Sequence, residues 1–536
     1  MYKAQASLPL LGRGVKGEGL FIFRLILQKR SESYTRLSLV NFFCYDISVM
    51  TLNIYAITDS HQESRNLSRL LSGIYNFEYK KSSPFLILDA GDLFKGIYKK
   101  DLSVNAYLKI KKLLPQSEIF ITLGNNDFGF VKSDFEYLLS TIEKFNNAGI
   151  NVVCANLKNS KTGEFAPWVS RYKIVELDWH KILITGFCLN NSCVKKFGYE
   201  LLEPEECFAN LLKGIKEDYD RIIVLNHHWY PYSLQLKQFA EQKLNKNIDL
   251  IIGGHEHSPI KPDFDNNIYY PFSFARSLYK MQLDDKIHNV EEIKVDNFDF
   301  ISEFENPIVE YENETQLMKT ISHRVFNLTK CYSDPCPLGT FISDNMKRVG
   351  QTEIAFHSTG FTMAPLATKD SDTITNYDFK RVMCANCALV KIDISVAELK
   401  QVFENATLNR MYRDRGNSRF VQCSGNITIV GVGSFEDKTY KVLQIEINGE
   451  KLLDENSNPI NPDRKFSATI DPYIGSGEQG FTVLKNIPKV KILDNDGHEI
   501  RIDELFRNSL KLADNEFSTI GKTYPSFKII DNLNQQ

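Results

Sequence analysis

Asp, Asn and His side chains cluster in five short segments of this 536-residue chain, and each segment follows an apolar run typical of a β-strand. The segments are Asp59-Ser60-His61, Gly91-Asp92, Gly124-Asn125-Asn126-Asp127, Asn226-His227-His228 and Gly254-His255-Glu256-His257. This mixture of oxygen and imidazole ligands suits Mn, Zn, Fe, Co or Ni rather than Ca. Two such cations side by side polarise a phosphoryl oxygen and lower the pKa of a bridging water, which favours attack of hydroxide on a phosphoester.

The strands that precede these segments explain how residues so distant in sequence could meet. From Met50 to about residue 300, apolar runs alternate with amphipathic helical segments, which predicts a layered α/β domain. A predicted hairpin at Asp178-Trp179-His180 favours mixed sheets over a purely parallel sheet. Ligands of open α/β sheets lie outside the carboxyl ends of the strands, where the five segments fall. The predicted strands are residues 52–58, 85–90, 118–123, 151–155, 181–187, 221–226, 248–253 and 267–274, with helices at 66–77 and 132–145.

The chain changes character after residue 300. An acidic stretch from Glu303 to Glu314 precedes a predicted helix at 316–328, so residues 301–336 are interpreted as a linker with a helix. Residues 337–530 have their own strands and helices, including a helix at 396–403 and a strand at 442–449. This pattern predicts a second domain.

Composition narrows the class of protein. The hydrophobic content is 43%, the charged content is 24% and the net charge is −3, so nucleic acid is not an expected partner. No stretch is apolar enough to predict a transmembrane helix. Residues 1–49 are predicted to be a disordered or non-native extension, and a translation start at Met50 would favour a cytoplasmic protein. A targeting presequence, and with it an exported or organellar protein, is the alternative.

The order of the five segments resembles that of the calcineurin-like metallophosphoesterases, specifically the 5′-nucleotidase family, and the resemblance covers nearly everything from Met50 on. It implies a four-layer αββα metallophosphoesterase domain with mixed sheets at 50–300. It also implies a C-terminal α+β 5′-nucleotidase-type substrate domain at 337–530. Two divalent metal ions are implied, with Asp92 as the bridge between them. One ion would be held by Asp59, His61, Asp92 and His257, and the other by Asp92, Asn125, His227 and His255.

The same resemblance implies a substrate site in the second domain. Phe420 and Tyr473 fall where the family has two aromatic residues that stack on a nucleobase. Asn386, His357 and Gln479 fall at further substrate-binding positions. The implied partner is a nucleotide or another small phosphate ester.

The chain departs from the family pattern at the position after the metal-binding Asn. The family has His there and this chain has Asn126, while Gly129 stands where the acidic partner of that His is expected. An amide donates a hydrogen bond, but it cannot act as a general acid near neutral pH. His228 and His357 are candidates for a replacement acid. A phosphate-facing Arg of the family is Thr362 here.

Two functions from different classes stay open. The first is a dinuclear-metal phosphoesterase that hydrolyses a nucleotide or related phosphate ester by attack of a metal-bridging hydroxide, with an altered general-acid position and an altered phosphate-binding motif. Arg381, Arg413 and Arg415 are candidates for the missing positive charge. The alternative is a catalytically weak metallophosphoesterase-fold protein that binds a nucleotide or a partner.

Overall fold

A computed structural model describes residues 51–129, 131–177, 180–190, 192–323, 327–331, 334–367, 373–383, 386–411, 420–434, 439–512 and 526–531. The predicted N-terminal extension lies outside these residues, as do Arg413 and Arg415. In the described part of the chain, no helix combines the length and the apolarity that a membrane-spanning segment requires.

Two mixed sheets form the first domain. Its strands are β1 (Leu52–Ile57), β2 (Phe85–Asp89), β3 (Ser117–Thr122), β4 (Ile150–Val153), β5 (Leu157–Asn159), β6 (Tyr172–Leu177), β7 (His180–Cys188), β8 (Tyr199–Leu201), β9 (Arg221–His227), β10 (Leu250–Gly253), β11 (Ile268–Tyr269), β12 (Ser277–Leu283) and β13 (Ile287–Lys294). The sheet orders are β13-β12-β1-β2-β3-β4 and β11-β10-β9-β7-β6. Strands β1 to β4 run parallel, whereas β12 and β13 pair antiparallel at one edge.

The sheets pack face to face, and helices cover their outer surfaces. The helices are α1 (Ser64–Glu78), α2 (Lys100–Leu113), α3 (Lys132–Asn147), α4 (Ser192–Lys195), α5 (Pro204–Gly214) and α6 (Tyr230–Leu244). Ile54 and Phe120 of one sheet share a buried cluster with Ile223 of the other. Leu71 of α1 packs on the first sheet and Leu236 of α6 packs on the second. Because the central strands are buried on both faces, they read as continuous apolar runs. The predicted four-layer αββα arrangement is confirmed.

The second domain is α+β, as predicted. Its helices, with the helix that leads into it, are α7 (Ser302–Glu314), α8 (Pro337–Gly350), α9 (Asn376–Val382), α10 (Val396–Met411), α11 (Pro472–Gly475) and α12 (Ile502–Ser509). Its strands are β14 (Thr320–Ser322), β15 (Asn327–Leu328), β16 (Ile354–Ser358), β17 (Leu366–Ala367), β18 (Ile374–Thr375), β19 (Val390–Ser395), β20 (Val421–Cys423), β21 (Ile427–Ser434), β22 (Thr439–Ile447), β23 (Glu450–Lys451), β24 (Lys465–Ile470), β25 (Val490–Lys491) and β26 (Ser526–Asp531). The larger sheets have the orders β20-β16-β24-β19-β25 and β23-β22-β21-β26.

The linker helix was predicted at the wrong place. The structure has α7 over the acidic stretch, and β14 and β15 lie within the predicted helix at 316–328. The buried residues Phe304, Ile308 and Glu312 recur every four positions, so the acidic stretch presents one face to the first domain. Acidic residues in the first turn of α7 also interact favourably with the helix dipole.

Candidate metal centre

The five segments converge at the carboxyl edge of both sheets. Loops after β1, β2 and β3 contribute from one sheet, and the ends of β9 and β10 contribute from the other. They form two groups, each with ligand atoms within 4.8 Å of one another, and Asp92 belongs to both. The groups are Asp59, His61, Asp92 and His257, and Asp92, His227 and His255. The predicted seventh ligand, Asn125, places its Oδ1 atom 3.2 Å from Nε2 of His227.

Nitrogen and oxygen atoms face one another at short range in both groups. Nε2 of His61 lies 3.5 Å from Oδ2 of Asp92 and 3.0 Å from Nε2 of His257. On the other side of the shared carboxylate, Nε2 of His227 lies 3.3 Å from the same Oδ2 atom. Asp92 is fully buried. The shared carboxylate therefore stands between the two groups of imidazoles.

Hydrogen bonds on the far side of two imidazoles fix which nitrogen faces the site. Nδ1 of His227 bonds the carbonyl oxygen of Ala90 at 2.7 Å, and Nδ1 of His61 bonds the carbonyl oxygen of Phe94 at 3.2 Å. A carbonyl oxygen only accepts, so each Nδ1 carries the proton. In the neutral ring the Nε2 lone pair then points to the site, which is the usual arrangement of metal-binding histidines.

The backbone has positive φ values at four predicted ligands, and residues other than glycine rarely adopt this conformation. Asp59, His61, Asp92 and His255 have φ values of +45°, +46°, +58° and +76°. Hydrogen bonds between the loops hold the turns, including His61 N–H to the carbonyl oxygen of Asp92 at 2.9 Å. Gly124 is required by close approach, because a Cβ atom there would lie 2.1 Å from Oδ1 of Asp92.

Asp127 is a positioning residue that sequence reasoning missed, although it belongs to one of the five segments. Its carboxylate accepts from the backbone N–H groups of Asp92 (3.0 Å), Phe94 (3.0 Å) and Gly124 (2.8 Å). It is 3% exposed. The side chain therefore ties the loop after β2 to the loop after β3. An Asp directly after a ligand segment was the available signal.

Burial and mutual charge set the protonation of the site. Burial opposes ionisation of Asp92, but the adjacent imidazole of His227 holds the pKa of this carboxyl below its usual range. Burial opposes protonation of His227, but the adjacent carboxylate of Asp92 raises its pKa to about 10. Burial lowers the pKa of His255 to about 3, so its imidazole is neutral at pH 7. The carboxylates thus favour positive charge at the centre, and a bound cation would take the place of the proton on His227.

A further observation indicates that these residues are suited to divalent cations. Nε2 of His255 is buried and has no hydrogen-bond partner among the described residues. The close approach of the Nε2 atoms of His61 and His257 also places two nitrogen donors together. A cation between such donors satisfies them, whereas a buried orphan nitrogen is costly. Asp59, His61, Asp92, Asn125, His227, His255 and His257 are the residues that would hold the metal.

Comparisons with known proteins agree with this architecture. Residues 52–259 match the family model "Calcineurin-like phosphoesterase" and residues 313–486 match "5'-nucleotidase, C-terminal domain". The chain therefore combines a calcineurin-like phosphoesterase domain with a 5'-nucleotidase C-terminal domain. It is 23% identical over 88% of its length to the trifunctional nucleotide phosphoesterase YfkN of Bacillus subtilis, of which it spans 34%. It is 20% identical to the 5'-nucleotidase of Rattus norvegicus, with 80% of this chain and 81% of that protein covered.

Solved structures of the family share the fold. The 5'-nucleotidase precursor of Thermus thermophilus superimposes with a TM-score of 0.64 at 17% identity, covering 91% of this chain and 100% of that chain. This family consists of metal-dependent hydrolases, which agrees with the donor set described above.

The predicted catalytic residues lie at and near the centre. Asn126 donates its backbone N–H to Oδ1 of Asp92 at 2.7 Å and its side-chain amide to Oδ2 at 2.6 Å. His228 is buried outside the two ligand groups, and its Nδ1 accepts from the backbone N–H of Trp229 at 3.0 Å. Burial and the neighbouring His227 lower the pKa of His228 to about 4, so it is neutral at pH 7. Its role as an acid stays a prediction.

The two predicted stacking aromatics differ in exposure. Phe420 is 1% exposed and belongs to the apolar core of the second domain. Tyr473 is 43% exposed. A base that stacked on Phe420 would require the side chains that now cover it to move. The nucleobase sandwich stays a prediction.

The predicted polar substrate residues have protein partners. His357 is buried on β16, where burial lowers its pKa to about 4. The side-chain oxygen of Gln479 accepts from the hydroxyl of Ser358 at 3.3 Å. Asn386 is exposed, and its side-chain oxygen accepts from Arg501. Their contact with substrate stays a prediction.

A cleft between the two domains opens beside the metal centre. It has a volume of about 420 Å³. The first domain lines it with residues that include His61, Glu63 and Lys95, and the second domain with residues that include Met363, Lys380 and Arg381. Across the domain boundary the hydroxyl of Tyr377 donates to Oε2 of Glu63 at 2.8 Å. Lys95 was not predicted from the sequence, and Arg381 was a candidate for the missing positive charge.

Proposed function

We propose that this chain hydrolyses a nucleotide or a related small phosphate ester with the help of two divalent cations. The observation that carries the proposal is the pair of ligand groups that share the buried carboxylate of Asp92. Cations bound there would polarise a phosphoryl oxygen and activate water.

The residues of the chain contribute position and charge. Asp59 and Asp92 supply the anionic charge that retains the cations, and the buried imidazoles supply donors without further charge. Asn126 presents an amide, which donates hydrogen bonds but does not transfer a proton to a leaving group near neutral pH. We therefore expect faster turnover with aryl phosphates, which have good leaving groups, than with nucleoside monophosphates.

The cleft supports an anionic substrate. Lys380 and Arg381 line it from the second domain, and His61 lines it from the metal centre. A phosphate ester in this space would have the second domain's cations on one side and the ligand residues on the other. Arg381 could thus provide the positive charge that Thr362 does not.

The proposal is tested with purified protein loaded with Mn²⁺, Co²⁺ or Zn²⁺. Elemental analysis gives the metal content, and turnover is measured on nucleoside monophosphates, cyclic nucleotides, nucleotide sugars and an aryl phosphate. His255→Asn should lower metal content and turnover together. His288→Asn is the matched control, because His288 pairs with Asp284 on the β12–β13 hairpin. No metal-dependent turnover on any substrate would defeat the proposal.

The second candidate function is a nucleotide or partner binder with weak catalysis. Asn126 favours it, because the family's histidine is replaced by a group that transfers no proton. Asn126→His separates the two candidates. A large rise in turnover with unchanged nucleotide affinity would favour the binder, and ordinary turnover in the unmodified protein would exclude it.

A further inference from the structure

Lys95 lies three residues after Asp92 and is joined to the centre through Asn126. Its Nζ donates to the side-chain oxygen of Asn126 at 3.0 Å, and the amide nitrogen of Asn126 donates to Asp92 at 2.6 Å. An ammonium only donates and a carboxylate only accepts, so both contacts require the same orientation of the amide. Asn126 therefore holds the ammonium group of Lys95 at the edge of the candidate metal centre.

The backbone fixes Lys95 in this position. Its φ of +72° is a left-handed conformation that is uncommon for lysine. The next residue, Gly96, packs closely on the turn that carries His61. A Cβ atom at Gly96 would lie 1.5 Å from the carbonyl oxygen of His61. The Gly96 N–H also donates to the side-chain oxygen of Gln62 at 2.8 Å. Such strain persists where the surroundings impose it, and it is frequent at functional sites.

The cleft places Lys95 where substrate would enter. Lys95 and His61 line it from the first domain, opposite Lys380 and Arg381. Glu63 is the acidic side chain in this lining, and its carboxylate is bonded by Tyr377. Lys95 is an exposed residue of this lining.

We propose that Lys95 contacts the phosphate ester and stabilises the negative charge that develops during its hydrolysis, in place of the histidine that Asn126 replaces. This inference rests on the proposed function. In the reaction the oxygen of water forms a bond to phosphorus. The attacking water gives up a proton to solvent. The bond from phosphorus to the leaving oxygen breaks with its electron pair, and the leaving oxygen takes a proton from solvent. Lys95 keeps its proton throughout, and Asn126 is a positioning residue.

The kinetic test compares Lys95→Met with the unmodified protein on an aryl phosphate. We expect kcat to fall about 10²- to 10³-fold with little change in KM, as for removal of a donor that acts in the transition state. Lys95→Arg keeps a cation and should retain most of the turnover. Lys99→Met is the matched control: Lys99 is exposed, sits over the ring of Tyr311 and is expected to change kcat less than about twofold.

A double variant tests the positioning role of Asn126. Asn126→Ala should lower kcat through misplacement of Lys95. The pair Lys95→Met and Asn126→Ala should then be no slower than Lys95→Met alone, because the two residues act as one unit. Multiplicative losses would show that Asn126 does not act through Lys95.

Anion binding provides a readout independent of turnover. Calorimetric titration of the Mn²⁺-loaded protein with inorganic phosphate and orthovanadate should show vanadate binding weakened about 10- to 100-fold in Lys95→Met. Unchanged vanadate binding and unchanged kcat in Lys95→Met, with an active unmodified protein, overturn the inference and leave the proposed function standing. An inactive protein whose vanadate binding still depends on Lys95 overturns the proposed function and reduces Lys95 to an anion-binding residue.

Discussion

Asp127→Asn tests whether one buried carboxylate holds together the loops after β2 and β3. In the structure Oδ2 accepts from the N–H groups of Asp92 and Gly124, and Oδ1 accepts from that of Phe94. Asparagine has nearly the same shape, but one of its two positions is a donor. In its better orientation the amide NH₂ faces the N–H of Phe94. That N–H then loses its acceptor.

The expected magnitude follows from the lost bond. A hydrogen bond to a charged group contributes about 1.5–3 kcal/mol, so local opening should become about 10- to 150-fold more frequent. Hydrogen–deuterium exchange with mass spectrometry measures this on peptides that contain Phe94 and Gly124. Metal content should fall as well, because the loops also carry the predicted ligands Asp92 and Asn125.

A matched control separates this effect from a general effect of charge. Asp296 has an 86% exposed side chain and a 3.8 Å contact with Arg69, so Asp296→Asn should leave exchange at these two loops unchanged. Unchanged exchange and metal content in Asp127→Asn would refute the reasoning, because the carboxylate would then not be what ties the two loops.

Three further predictions follow from the same contacts. Asp92→Asn should lower affinity at both cation positions by more than the 10- to 100-fold typical of an outer partner, measured by competition with a chelating dye; loss at one position alone would contradict the shared role. Gly124→Ala should also lower metal content, whereas Gly214→Ala should not, since a Cβ atom at Gly214 would meet no atom of the described residues within 4 Å. Tyr377→Phe should lower the free energy of unfolding by about 1–3 kcal/mol, because Glu63 is buried and loses a hydrogen bond across the domain boundary; an unchanged denaturation midpoint would argue against it.

Sequence reasoning predicted the residues that meet because the strands that carry them are strongly apolar. Nearly every residue of β2 and β9 is buried, so the sequence showed where these strands end. The carboxyl ends of parallel strands lie at the same edge of a sheet. Local pattern did not reveal β12 and β13. The latter alternates between buried and exposed positions at the antiparallel edge and carries His288, Glu291 and Glu292, which weaken the apolar signal.

The linker and the substrate domain show a different limit. The helix α7 is defined by the face that it packs against the first domain, where Glu312 accepts hydrogen bonds from Arg65 and Tyr98. Such partners lie more than 200 residues away in sequence, so a local pattern misplaced the helix. Similarly, whether an aromatic such as Phe420 is a stacking surface or core depends on neighbours that sequence does not identify.

The predicted metal ligands could be recognised in the sequence for a further reason, which does not apply to Lys95. Asp59, His61, Asp92 and His255 adopt left-handed backbone, and Asp and His are among the non-glycine residues that occur there most often. At these positions one residue type serves both the turn and the cation. Lysine has no such preference, so its left-handed conformation, which costs about 1–3 kcal/mol, has to be imposed by the packing of the 93–98 loop on the turn that carries His61. A residue of another type would suit that backbone better, which is why we attribute the lysine to the charge that it brings to the cleft.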